Sequence, residues 1–411
     1  NISGAATSGG KTFNLSVKNT EDVGVITATT ATNISSTTNI TLTTTESNTL
    51  EIHGTLAVRG SNLANASIQI NERNIGILRL NFTASGESFN LTVLDITRKG
   101  TATDVDIFNV SLYNDTNANG IFDPATDTQL RIPLNATTAS KYTFTGFQYN
   151  VSTSGVNTLF VVADINGTSS TGGKRFNLSI NGTEDVEAVG VGSAENVTAS
   201  TNMTLTTTES NTAVIFGTIS AVGADLTPPL ADDGQLSVAI VNLTFTVTGE
   251  AANTSQLNVS LVNDTAIAGA NLYNDTDGNG NFSTGDTLLA TDASFTGNVS
   301  TFDFNFSMPV GTTTFIVTYN ISPSAAGGTR VDGSIANAGN ITIVGGSSGQ
   351  TLTVSGTFPI NPTGDTLVRD LSATATVNTT AVTISSIRSY EFTISNPSGG
   401  FQDTINQVII D

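Results

Sequence analysis

The chain has 411 residues, 34 acidic against 14 basic side chains, one histidine, and neither cysteine nor tryptophan. A formal charge of −20 excludes ordinary nucleic-acid binding, which needs a basic surface to neutralise phosphates. The lack of cysteine excludes disulfides and thiolate metal sites, and no apolar run approaches the ~18–20 residues of a membrane-spanning helix.

The chain opens at Asn1 with no signal peptide, which reads as a processed product or a window on something longer. From Gly9 the run GGKTFNLSVKNTEDV returns at Gly172 as GGKRFNLSINGTEDV, and TLTTTESNT at Thr41 returns at Thr204. The spacing is 163 residues throughout, from Lys11 to Lys174 and from Glu46 to Glu209. A weaker copy starts at Gly327. The tripeptides Gly54-Thr55-Leu56, Gly217-Thr218-Ile219 and Gly356-Thr357-Phe358 mark one point in each repeat. The marks predict a closing fragment over 1–59, full units over 60–222 and 223–361, and opening strands of a further unit over 362–411, a possible donor segment. Pro- and Asp-rich joins at 224–234 and 360–365 fit linkers.

Within a unit the hydrophobic period is two. ILRLNFTA, SFNLTVLDI, VDIFNVSLY, KYTFTGFQY, NTLFVVAD and KRFNLSI alternate apolar with polar residues and end in Gly, Asn, Asp or Ser. Many short strands and no helical stretch predict an all-β chain of tandem antiparallel β-sandwiches.

Two related loops interrupt this pattern, SLYNDTNANGIFDPATDTQL from Ser111 and NLYNDTDGNGNFSTGDTLL from Asn271. Calcium takes six to eight hard oxygens, and a tight loop supplies them from alternate places when a glycine permits the turn at the sixth. The second loop offers Asp275, Asp277, Asn279, the carbonyl of Asn281, and Asp286 at the twelfth place. The first offers Asp115, Asn117, Asn119, the carbonyl of Ile121, and Asp123. Its twelfth residue is Thr126, and the closing carboxylate Asp127 comes one place late. Calcium is the expected ion, although Asn, Asp and Gly also favour turns that hold none.

About 27 Asn-x-Ser/Thr acceptor sites occur among about 42 asparagines, roughly twice the chance expectation. The candidates before the second repeat are Asn14, Asn33, Asn39, Asn65, Asn81, Asn90, Asn109, Asn114, Asn135, Asn150 and Asn166. Asn177, Asn181, Asn196, Asn202, Asn242, Asn253, Asn258 and Asn263 follow, then Asn274, Asn281, Asn298, Asn305, Asn320, Asn340 and Asn378. Where the triplet lies in a strand, as at Asn81, Asn90, Asn109 and Asn177, alternation should turn the asparagine and the hydroxyl residue outward and the middle residue inward. N-linked glycans would then coat the flat of the sandwich.

Catalysis has little to work with. His53 stands alone, expected on a strand face. The acidic pairs Glu21-Asp22 and Glu184-Asp185 fall where solvated turns are expected. No constellation of nucleophile, base and orienting group emerges.

The run LYNDTDGNGNFSTGDTLLATDASFTG, followed by VGTTTFIVTYNIS, resembles repeats of large prokaryotic cell-surface proteins. The first unit matches it in a run ending GVNTLFVVADINGTSSTGGKRFNLSI. With the density of acceptor sites, the chain is similar to archaeal surface-layer or extracellular filament glycoproteins built from immunoglobulin-like repeats. That resemblance implies an extracellular, non-enzymatic structural subunit carrying calcium and N-linked glycans. Its partner would be another copy of itself, joined head to tail by strand complementation. The alternative is a stalk segment of a cell-surface adhesin.

Overall fold

A computed structural model describes residues 9–18, 25–26, 33–34, 46–131, 140–167, 172–197, 202–206, 208–360, 365–369, 372–376 and 391–395. Among them are β-strands and three single turns of 3-10 helix, Thr183–Asp185, Asp264–Ala266 and Ala338–Asn340, with no α-helix. The chain forms two compact units. One holds residues 1–166 and 175–213, the other residues 167–174 and 214–411.

In unit 1 the period-two runs become strands β1 (Thr55–Asn62), β2 (Ile75–Ser85), β3 (Phe89–Gly100), β4 (Ile107–Asn114), β5 (Thr128–Gln129), β6 (Lys141–Val151), β7 (Asn157–Ile165), β8 (Arg175–Ser179), β9 (Val186–Gly190), β10 (Asn196–Val197) and β11 (Met203–Thr206). One sheet runs β5-β4-β7-β2-β1-β11, antiparallel except where β11 lies parallel to β1. In the other, β3 is flanked by β6 on one edge and by β9 and β8 on the other. Alternation buries Leu80, Phe82 and Ala84 of β2 and, on either side of a β-bulge, Phe89 with Leu91 and Leu94 with Ile96 of β3. A residue pair repeated in this way places one face of each strand in the interior and leaves the other to solvent.

Unit 2 repeats the plan with β12 (Thr218–Asp225), β13 (Leu230–Asp232), β14 (Val238–Thr248), β15 (Ala252–Val262), β16 (Ile267–Asn274), β17 (Thr287–Asp292), β18 (Val299–Met308), β19 (Gly311–Ile321), β20 (Arg330–Ser334), β21 (Ile341–Gly345), β22 (Val354–Ser355) and β23 (Thr366–Arg369). The sheet β17-β16-β19-β14-β12-β22 faces a sheet β13-β23-β20-β15-β18, with β21 also on β15. A single core joins the two faces: Leu243, Phe245, Phe315 and Val317 from the first meet Leu257, Val259, Phe302 and Ile343 from the second. Phe315 is ringed by Phe245, Phe304 and Phe306 at centroid distances of 5.4, 5.8 and 5.4 Å. The fully buried rings, Phe245 and Phe315, each contribute about 1.5–3 kcal/mol over an exposed one, and the half-buried Phe304 and Phe306 less.

The division differs from the one expected at 59/60 and 222/223. Both of those points fall inside strands, β1 and β12, whose residues pair continuously with β2 and β14. A sequence repeat marks phase, whereas a sandwich begins where its first strand begins. Residues 366–369, expected to open a further unit, lie inside unit 2 as β23, with Thr366 and Val368 fully buried. Beyond them Ser372–Thr376 pairs antiparallel with Glu391–Ser395.

A buried carboxylate recurs in both units. Glu87 accepts the backbone N–H of Gly54 (2.9 Å), Gly192 (2.9 Å) and Ser193 (2.9 Å) and the Ser193 hydroxyl (2.9 Å). Glu250 accepts the N–H of Gly217 (2.9 Å), Ser347 (2.9 Å) and Ser348 (2.8 Å) and the Ser348 hydroxyl (2.6 Å). Each glutamate thereby fastens the residue just before the first strand to a turn on the opposite sheet. A glycine that opens the repeated run lies on it: Gly9 N–H donates to the Gly86 carbonyl at 3.0 Å and Gly172 N–H to that of Gly249 at 3.0 Å. A Cβ on Gly172 would sit 2.5 Å from the Glu250 Cβ, so only glycine fits. The Gly10–Ile52 bond, N–H to carbonyl at 2.9 Å, is matched by Gly173–Ile215 at 2.8 Å.

Removing the clamp is expected to be severe. Glu250→Ala leaves three N–H groups without an acceptor, those of Gly217 and Ser348 buried, and should lower the stability of unit 2 by about 2–4 kcal/mol, read from the urea midpoint, while Gly172→Val should act in the same direction by steric displacement.

The two units also carry carboxylates with opposite pH behaviour. Burial raises the Glu87 carboxyl, but the Gly54, Ser193 and Gly192 donors outweigh it and hold the group below its ordinary 4.5. Its contribution is therefore present above that value and lost as pH falls through the depressed one. Burial pushes Asp332 on β20 up to about 6, with Asp365 and Asp225 adding repulsion against the Gly333 N–H. Its contribution is complete below the ordinary 3.8 and is lost as pH rises through about 6. Asp332→Asn should therefore raise the melting temperature at pH 7 by about 2–4 °C and leave it unchanged at pH 3.5, checked by paired thermal melts.

Candidate cation loops and glycan-acceptor faces

Each loop leaves a strand whose last residue but one is aromatic and returns into a short strand that pairs with it, β4 to β5 and β16 to β17. The aromatic residue anchors the loop. Tyr113 meets Phe122 at 5.1 Å between ring centroids, and Tyr273 meets Phe282 at 4.8 Å. The first carboxylate then caps the turn. Asp115 accepts N–H from Asn119 (3.1 Å) and Gly120 (2.8 Å); Asp275 accepts from Gly278 (2.8 Å) and Gly280 (2.8 Å). Gly120 and Gly280 have φ of +72° and +76°, a conformation costly for any residue with a Cβ.

The following oxygens step inward through local turns. Asn117 Oδ1 accepts Asn119 N–H (3.1 Å) and Asn119 Oδ1 accepts Ile121 N–H (2.7 Å); in the second loop Asp277 accepts Asn279 N–H (3.0 Å) and Asn279 accepts Asn281 N–H (2.6 Å). The closing carboxylates occupy equivalent places despite the extra residue in the first loop. Asp127 accepts Thr116 N–H (3.3 Å) and Asp123 N–H (2.8 Å); Asp286 accepts Thr276 N–H (3.2 Å) and Ser283 N–H (2.7 Å).

The second loop brings Asp275, Asp277 and Asp286 together, each with a carboxylate oxygen within 4.8 Å of the others. The Asn279 N–H first, then the Ser283 hydroxyl and the neighbouring Asp275 carboxyl, hold Asp277 below its usual range, which keeps it an anion at neutral pH. An all-oxygen set carrying this charge suits a hard divalent cation. The first loop has Asn117 where the second has Asp277. Its Asp123 is turned aside to accept Ala125 N–H (2.9 Å), at the place Ser283 holds in the other loop. Asn281 is exposed and its side chain donates back to the Asn279 carbonyl (3.2 Å); Ile121 is exposed as well.

One element of both loops had no signal in the sequence. Arg79 on β2 donates to the Gly120 carbonyl (3.0 Å), and Asn242 on β14, at the same place in the repeat, donates to the Gly280 carbonyl (2.9 Å). A tether recurs although the residue does not, which is why comparing the two repeats by identity misses it.

Of the acceptor asparagines, Asn14, Asn65, Asn150, Asn181, Asn196, Asn263, Asn281, Asn298 and Asn305 are exposed. Asn81, Asn90, Asn109, Asn114, Asn166, Asn177, Asn202, Asn242, Asn253, Asn258, Asn274, Asn320 and Asn340 are half-buried. Asn33 lies in the short strand Asn33–Ile34, and Asn39, Asn135 and Asn378 lie outside the described residues. Phe82, Leu91, Val110 and Leu178 point inward as expected. The hydroxyl residues follow only in part: Thr83 is exposed and Thr92 half-buried, but Ser111 and Ser179 are buried. Ser179 is drawn in by its bonds to the Thr97 carbonyl (3.4 Å) and Asn181 Oδ1 (3.0 Å).

Two further expectations change. His53 is exposed between strands rather than on one. Asp185, expected in a solvated turn, is buried beside Lys141, with their charged atoms 2.9 Å apart, while Glu184 is exposed. Glu21 and Asp22 lie outside the described residues. Among the described residues no helix is long and apolar enough to cross a membrane.

No protein family and no curated protein matches the sequence. Among solved structures, a Hadza microbial sialidase is similar at 9% identity and a TM-score of 0.28, covering 76% of this chain and 73% of its own. An allantoicase is similar at 7% identity and a TM-score of 0.16, covering 64% and 78%. The N-terminal tandem CBM22 domain of a Paenibacillus barcinonensis protein follows at 9% and 0.14, covering 77% and 92%. Similarity this low carries no argument about activity.

The two loops should differ in affinity. Terbium luminescence on the full chain should show tighter binding at the second loop, and Asp277→Asn should weaken that site at least about tenfold (about 1.4 kcal/mol) while the first loop is unaffected.

Proposed function

We propose that the chain is a structural subunit of an extracellular filament or surface layer, built from tandem immunoglobulin-like sandwiches and without catalytic activity. Calcium stiffens the loops at Asp115 and Asp275, and N-linked glycans cover the outer faces. The observation that carries this reading is the repeated cap: Gly9-Gly10 and Gly172-Gly173, which open the run repeated at 163 residues, lie on the buried glutamate of unit 1 and of unit 2 respectively. A contact reproduced in both units suits a chain made of one module repeated.

Head-to-tail assembly of copies uses the same device, with extended strands from one copy completing a sheet of the next. Backbone pairing supplies the affinity in such a joint, and the fit of alternate side chains sets its register. The net charge of −20 keeps bare modules apart laterally and favours growth along the axis.

Imaging of native material tests the assembly: unbranched fibres or a lattice with one repeat are expected, and isolated flexible monomers would favour the adhesin-stalk reading instead. Glycopeptide mapping tests the coat. Exposed Asn65, Asn181, Asn196 and Asn305 should carry sugar, whereas Asn242, whose amide holds Gly280, should be bare.

A further inference from the structure

One cluster in unit 1 is not required by the fold. Lys141, the first residue of β6, places its Nζ 2.7 Å from Asp95 Oδ2 on the adjacent strand β3 and 2.9 Å from Asp185 Oδ1. The register sets Lys141 opposite Thr97 and Thr143 opposite Asp95, so the lysine reaches one step along the sheet to the carboxylate. Asp185 sits in the Thr183–Asp185 turn, its side chain 4% exposed, and its Oδ2 accepts N–H from Asn181 (2.8 Å) and Gly182 (3.3 Å). Its other oxygen is thereby held toward Nζ.

The second sandwich does without the trio. Strand pairing puts Val299 at the place of Lys141, and the repeat puts Asn258 and Asn340 at those of Asp95 and Asp185. The place shared by Asp95 and Asn258 has a common oddity: in both, Oδ1 is buried and has no hydrogen-bond partner. A neutral carboxamide tolerates one unpaired oxygen there better than an anionic carboxylate does.

We propose that Lys141 and Asp95 form an intramolecular isopeptide bond, with Asp185 as the proton carrier. The link turns Asp95 into a carboxamide, the group that unit 2 already carries at that place. Asp185 takes a proton from the Nζ ammonium, and the freed lone pair attacks Asp95 Cγ. Oδ2 leaves as water, taking up two protons that were on Nζ, one of them by way of Asp185. Nζ keeps one hydrogen, which donates to Asp185 Oδ1, and Oδ1 of Asp95 becomes the amide carbonyl. Ammonium and carboxylate are consumed, amide and water are made, and Asp185 ends as it began, so no further reactant enters. Fixing the amine against the acyl carbon supplies an effective concentration of about 10⁵ M or more, which drives condensation that free groups in water do not undergo.

The two carboxylates hold the Lys141 ammonium firmly protonated, Asp95 first and Asp185 second. Proton removal is therefore the difficult step, and Asp185 is the group placed to do it.

The test is mass spectrometry of the full chain made in a host that adds no glycans, denatured and cut with trypsin. Peptide 80–98 should emerge joined to peptide 132–174, uncut after Lys141 and lighter by one water than the two together. Free 80–98 with cleavage after Lys141 overturns the proposal. Asp95→Asn should give the same linkage with loss of ammonia instead, and Asp95→Ala should give none. Asp185→Asn should slow the linkage at least tenfold with the strand content unchanged by circular dichroism. A linkage that survives in Asp95→Ala would also overturn it.

Discussion

The buried glutamate of each sandwich is the constraint on which the rest of the structure depends. A carboxylate that gives up water must find its bonds inside the protein, and Glu87 and Glu250 find theirs on backbone N–H groups from both sheets. The strand pairs alone would let the two sheets slide, since apolar contact has no direction. The glutamate fixes the start of the first strand against a turn across the core, and with it the register of everything that follows. Gly54 and Gly217 lie so close to it that the first strand has one place to begin.

How much of this could be read in the sequence depends on whether the signal was periodic. Strand identity was legible because Leu80, Phe82 and Ala84, or Leu243, Phe245 and Val247, alternate with polar neighbours over a whole strand. The loops were legible because Asp, Asn and Gly fall at fixed intervals, and Asp275, Asp277 and Asp286 do converge. Single residues acting at long range left no such trace. Glu87 reaches Gly192 and Ser193 across more than a hundred residues. Asp185 reads as half of an exposed acidic pair, because nothing along the chain puts Lys141 beside it. The repeat was legible in the same way, but the strands that cross residues 59/60 and 222/223 were not.

The proposed role asks little of any single group and much of repetition. An acidic surface repels its neighbours, sugars on exposed asparagines would thicken each sandwich, and bound cations would neutralise the loops at the ends of β4 and β16. None of these requires a cleft or a mobile segment. What matters is that the same clamp is built into both units.

The tether beneath each loop bears on how the two respond to their surroundings. Arg79 sets a fixed positive charge under the first loop, where Asn242 sets a neutral amide under the second. A guanidinium on the Gly120 carbonyl already offsets part of the charge that a divalent ion would come to balance. The two loops would therefore fill over separate ranges of ion concentration, and a filament made from such units would stiffen in stages as its medium became harder.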